Sequence, residues 1–231
     1  MGPRPARRPG LDVGLVIFPG ATAVSGLSVY PWQAEDGRCG GSPHVHLTCT
    51  EAYITVSGSG SLQTLSAQGL QEHPLIPGSV VWFGPGTIHR AVNGTSLRVI
   101  VVMQNGGLPE AGDAVLTYPS QILADPAEYQ RVRKPRERRD LAVRGFLELV
   151  SDPGALPKFY QQAAELVADR LDDWEKRWEA GPLEAVRQTQ RQLNSLRSGK
   201  VDYLMESEVE VAQAPAQRTY GMCGMLDKYA L

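Results

Sequence analysis

The chain has 231 residues, 42 % hydrophobic and 21 % charged, the composition of a globular protein large enough to bury a core. Lys and Arg number 23 against 25 Asp and Glu, a formal net charge of −2, which gives no electrostatic case for nucleic acid or an anionic membrane as partner. Three cysteines with no Cys-x-x-Cys pair make no disulfide framework, so a reducing, cytoplasmic compartment is the expectation.

Residues 1–10 are basic but precede no apolar stretch, and read as a flexible N-terminal arm rather than a signal peptide. No apolar run reaches the roughly 18 residues that would span a bilayer.

Residues 11–118 break into short apolar runs separated by Gly, Pro, Ser and Asn, the pattern of an all-β domain. Strands are expected at Val13–Phe18, Ser25–Pro31, Pro43–Leu47, Glu51–Ser57, Ser61–Leu65, Gln71–Leu75, Ser79–Phe83, Ile88–Val92 and Leu97–Gln104, and together they can close a small antiparallel barrel. Residues 119–231 change periodicity. Asp125-Pro126-Ala127-Glu128 reads as a helix start, with a capping acid and proline at the first helical position. The charged run Arg131 to Asp140 leads into Leu141, Val143, Phe146, Leu147 and Val150. A second helix from Leu156 carries Phe159, Ala163, Leu166, Val167, Leu171, Trp174 and Trp178 on one stripe. Gly181-Pro182 should end it and start a third helix with Leu183, Val186, Leu193 and Leu196, giving a helical hairpin. That stripe must be covered by the barrel or a second subunit, and the alternative is a lid over the barrel mouth. An extended tail ends the chain, and nothing in it places Tyr220–Met225 at that mouth.

Three of the four histidines lie in two short segments of the β region. His44 and His46 alternate on one strand and therefore aim at one point; Glu51 follows after a turn, and His89 comes from a later strand. Nitrogen and carboxylate donors of this kind suit one divalent transition metal, Fe, Mn, Ni, Co or Zn, with positions left open for chemistry. If Glu51 points inward, Tyr53 and Thr55 do too, so Tyr53 is a candidate donor to substrate and Glu51 a candidate base as well as a ligand. Trp82 is expected in the core or lining the cavity, Cys49 in a structural role, His73 at the surface or hydrogen-bonded, and Asn93 fixing a turn.

These segments resemble the two signature motifs of the cupin superfamily. His44, His46, Glu51 and Gly58 match the first, although Arg38 holds the place of its leading glycine. Gly78, Gly86, His89 and Asn93 match the second, with its proline displaced to Pro85. The resemblance implies a jelly-roll β-barrel, here followed by helices, and a metal held by His44, His46, Glu51 and His89. It does not select a reaction. An Fe(II)-type dioxygenase acting on a small polar or chelating molecule is preferred; a sugar or sugar-phosphate isomerase or epimerase is the alternative, and a non-catalytic small-molecule binder the second. Arg90 and Arg98 should face away from the cavity, which leaves no phosphate-binding cluster. A homodimer is expected.

Overall fold

The computed structural model describes residues 18–229, so the expected arm and most of the expected strand Val13–Phe18 lie outside the described residues. Among the described residues nine strands form one antiparallel sheet system: β1 Ala23–Val29, β2 His44–His46, β3 Glu51–Ser66, β4 Gly69–Leu75, β5 Val80–Phe83, β6 Ile88–Met103, β7 Ala114–Leu116, β8 Thr219–Tyr220 and β9 Gly224–Lys228. The helices are α1 Ser120–Leu123, α2 Pro126–Arg131, α3 Pro135–Ser151, α4 Leu156–Val167, α5 Leu171–Trp178 and α6 Glu184–Arg197. No described helix is long and apolar enough to cross a membrane.

The architecture follows from one long strand pair. β3 and β6, 16 residues each, run antiparallel from Glu51 opposite Met103 to Leu65 opposite Ile88, with register breaks between Thr55 and Gly60. The sequence suggests turns at Gly58-Ser59-Gly60 and Asn93-Gly94; instead each strand continues through a bulge. Gly58 has φ +71°, and a Cβ there would sit 2.2 Å from the Thr95 carbonyl oxygen, so only glycine fits the crossing. Asn93 holds the opposite side, accepting from the Leu97 amide at 3.0 Å and donating to the Val29 carbonyl at 2.9 Å.

Each half of this pair then recruits its own neighbours. The half containing Glu51–Thr55 and Arg98–Met103 is flanked by β5 on one side and by β1, β9 and β8 on the other. The other half is flanked by β4, and by β2 and β7. The result is two faces sharing one bent strand pair, a jelly-roll pattern. The ladder does not close into a continuous barrel, because β4, β5, β7 and β8 end it unpaired on one side among the described residues. The core lies between the faces, where Leu27, Val45, Tyr53, Leu62, Ile88, Val99 and Val115 are buried.

α3 and α4 pack against the β2-bearing half. Asp125 caps α2 as expected, accepting from the Ala127 and Glu128 amides. α3 approaches so closely that a Cβ on Gly145 would meet the Thr117 carbonyl at 2.1 Å. Buried Arg139 donates to the Trp32 and Gln33 carbonyls, and the Arg90 guanidinium lies 5.6 Å from the Phe146 ring centre. Leu156, Phe159, Ala163, Leu166, Val167 and Trp174 are buried as their stripe implied. The hairpin at Gly181-Pro182 is not formed. Backbone angles stay helical from α5 through a π turn, Glu179–Leu183, into α6, so residues 171–197 make one rod. A π turn absorbs the missing proline donor and ring clash that would otherwise break the helix.

Candidate metal centre

β2 is three residues long and wholly buried, so His44 and His46 face one way while Val45 enters the core behind them. His44 stands directly across the ladder from His89. Glu51 does not return beside them on a neighbouring strand. It opens β3 on the other face, opposite Phe83 and Met103, and reaches the histidines across the space between the two faces. One donor atom from each of His44, His46, Glu51 and His89 lies within 4.8 Å of every other, and all four residues are buried. Glu51 Oε2 is 3.0 Å from His89 Nε2 and 3.2 Å from His46 Nε2.

What surrounds the rings decides what they can hold. His44 Nδ1 is 2.8 Å from the Ser42 carbonyl, His89 Nδ1 is 3.1 Å from the Thr87 carbonyl, and His46 Nδ1 is 3.1 Å from Asp113 Oδ2. Each Nδ1 faces an oxygen that only accepts, so each carries its proton there, and the Nε2 lone pairs turn toward the centre. Glu51 Oε2 and His89 Nε2 are buried with no hydrogen-bond partner despite their proximity. Orphaned acceptors converging at one point fit a cation.

Electrostatics agrees with that reading at His44 and Glu51, whereas His46 must release a proton before its Nε2 can ligate. Burial, reinforced by the neighbouring imidazoles, holds His44 well below the usual histidine range. Burial also opposes charge on His46, but Asp113 and Glu51 outweigh it and push that imidazole up to about 9. Burial raises Glu51, yet His89 and His46 hold it well below the carboxylate range, as an anion. The pocket is therefore built to keep a carboxylate charged beside imidazoles.

Asp113 is the residue that sequence reasoning missed. Fully buried, it accepts from the Leu47 and Thr48 amides at 3.1 and 2.9 Å and the Thr48 hydroxyl at 2.8 Å, while its second oxygen orients His46. Its signal was slight: one carboxylate before the short apolar run 114–116 that forms β7. Phe83 was missed too. Its ring centre is 4.2 Å from that of His89 and 5.8 Å from that of Tyr53. The register that turns Phe83 inward turns Trp82 outward, where it is 71 % exposed, so the expected core or cavity tryptophan is a surface residue.

Tyr53 is buried beside Glu51, and burial, with Cys223 and the Glu51 carboxylate alongside, raises its phenol well above its ordinary range. Thr55 accepts from Ser79 and holds a turn. Cys49 is buried on the Asp113 side of the site and is not one of the four convergent donors. His73 sits 3.1 Å from the Thr64 hydroxyl, away from the cluster. Arg90 and Arg98 turn away from the cavity, to Gln63 and Asp36 and to Asp227 respectively.

A cavity of about 180 Å³ opens from His44, His46, Glu51 and Tyr53. Leu27, Val101, Met103, Met222 and Leu226 form much of its wall, and Ser25, Glu110, Lys228 and Tyr229 also line it. No residue of the described helices lines it. The tail does so instead, because β9 pairs with β1 and sets Leu226 beside Leu27 and Lys228 beside Ser25.

No protein-family model and no curated protein sequence matches the chain. Solved structures similar to it include the capsular polysaccharide assembling protein CapF of Staphylococcus aureus, at 21 % identity and TM-score 0.28 over 35 % of this chain. The Streptomyces nucleoside dehydratase Pac13 is similar at 18 % identity and TM-score 0.28 over 36 %. WlaRA, a TDP-fucose-3,4-ketoisomerase of Campylobacter jejuni, is similar at 11 % identity and TM-score 0.29 over 34 %. The matched stretches span 22 %, 57 % and 58 % of those chains, and at these scores assign this one neither substrate nor reaction.

Proposed function

We propose that the protein is a metal-dependent enzyme that acts on a small molecule with a polar, chelating head and an apolar body. The observation that carries this reading is the set of three Nδ1 anchors, which leaves three Nε2 atoms and the Glu51 carboxylate aimed at one buried point. His44, His46, Glu51 and His89 would hold the ion, as the cupin motifs imply. Bound there, a divalent metal would supply Lewis acidity and, if it were iron, oxygen chemistry.

The chain's own groups do the rest. Leu27, Val101, Met103 and Leu226 exclude water from the wall, and Tyr53 offers a neutral phenol that donates to an anionic oxygen near Glu51. A polyhydroxylated sugar needs many polar partners, and this wall offers few. The apolar lining therefore favours a dioxygenase acting on a chelating substrate. Isomerisation keeps one specific observation in its favour: Glu51 and Tyr53 form a carboxylate and phenol pair suited to moving a proton between neighbouring carbons.

Protein refolded without metal and reconstituted anaerobically with Fe²⁺ should bind nitric oxide and give a high-spin iron–nitrosyl EPR signal. That signal needs an open coordination position and no substrate. Iron that binds with no nitrosyl signal would count against oxygen chemistry and favour isomerisation. Failure to bind any of the five metals would leave only a non-catalytic binder.

A further inference from the structure

The rod of residues 171–197 docks on the body through Trp174, Gly181 and Pro182, yet leaves large apolar side chains exposed along its length. Trp174 ties its start to the body, donating to the Ala111 carbonyl at 3.2 Å, but α6 buries no residue among those described. Leu171, Trp178, Val186, Leu193 and Leu196 remain exposed, from 39 % at Trp178 to 66 % at Val186. Leu171 and Trp178 are seven residues apart, as are Val186 and Leu193. The eight-residue step between Trp178 and Val186 contains the π turn, whose extra residue returns all four to one side of the rod. Such a seam is the pattern by which one helix packs along another.

Charge identifies the partner. Residues 171–184 carry Asp172, Asp173, Glu175, Glu179 and Glu184 against Lys176 and Arg177. Residues 185–200 carry Arg187, Arg191, Arg197 and Lys200 with no acid. We infer that the rod pairs antiparallel with the same rod of a second copy of this chain, about a two-fold axis near Val186. Pairing in that direction sets each acidic half against a basic half and Trp178 against Leu193 of the second copy. A parallel pair would set like charges together. The same patch on both copies closes the assembly at two. Within one chain, Arg177–Asp173 at 2.6 Å and the Arg191–Glu184 pair hold the charged side chains along the rod.

Sedimentation velocity on the full chain at about 50 µM should give a dimer, the range in which a modest interface associates. The double variant Val186→Glu/Leu193→Glu should sediment as a monomer, weakened about 100-fold or more, with unchanged circular dichroism, since both side chains are exposed in the single chain. Direction is read from single cysteines on a Cys39→Ser background. Val186→Cys should form a disulfide-linked dimer on mild oxidation. Leu171→Cys should not, because antiparallel rods hold its two copies roughly 45 Å apart. A monomeric wild type, a dimer that survives the double glutamate variant, or cross-linking at Leu171→Cys would each overturn the inference.

Discussion

Each imidazole of the centre is aimed by the oxygen at its back, so the backing groups should matter nearly as much as the donors. Asp113 is the clearest case, because it grips the β2–β3 turn and His46 together. Asp113→Asn should keep the fold and bind Zn²⁺ about 10- to 100-fold more weakly, as read by competition with a chromophoric chelator. Unchanged affinity would mean that Asp113 serves the turn alone. Replacing His89 by alanine should reduce retained metal from about one ion per chain to a trace, while the circular dichroism of the sheet persists. Tyr53→Phe should leave metal retention intact, since the phenol lies beside the cluster and outside it. A loss of metal there would move Tyr53 into the coordination shell.

At the scale of elements, the bent β3–β6 pair positions everything else. Gly58→Ala forces a Cβ onto the Thr95 carbonyl at a positive φ, and should cost about 2–4 kcal/mol, measured as a shift of the urea midpoint at constant slope. A change under 0.5 kcal/mol would show that the crossing has slack. On the same sheet, Glu72 of β4 accepts from Arg38 at 2.7 Å, from Ser61 and from Gln63, and these bonds hold its carboxyl down at about 2 against an ordinary 4.5. A depressed carboxyl stabilises the fold above its unfolded value and loses that contribution as pH falls from 4.5 toward 2. Both side chains are about two-fifths exposed, so solvent screening keeps the effect below about 1 kcal/mol. Glu72→Gln should therefore cost a few tenths to about 1 kcal/mol at pH 7 and progressively less toward pH 3, by urea unfolding at each pH. An equal cost at both would assign the effect to packing.

Across the whole molecule, what was legible in the sequence was whatever alternation and local spacing encode. The two His/Glu segments, the all-β first half, the helices after Tyr118 and the cap at Asp125 are all of that kind. What escaped it depends on pairing between distant residues. Whether Gly58-Ser59-Gly60 turns the chain or bulges a strand is decided by what crosses it, here Thr95 and Ser96. Trp82 and Phe83 exchange faces with a single step of register against Ala52 and Glu51. Pro182 reads as a break, yet a π turn carries the helix through it. The cavity wall needed β9, a tail strand whose partner β1 lies some two hundred residues earlier.

The convergence of four donors on one ion carries the whole account, and X-ray absorption at the edge of the metal retained by protein purified without chelators reads it directly. A shell of three imidazole nitrogens plus oxygen at about 2.0–2.2 Å, with no sulfur, is expected. A shell lacking imidazole, or one containing the sulfur of Cys49 or Cys223, would contradict it.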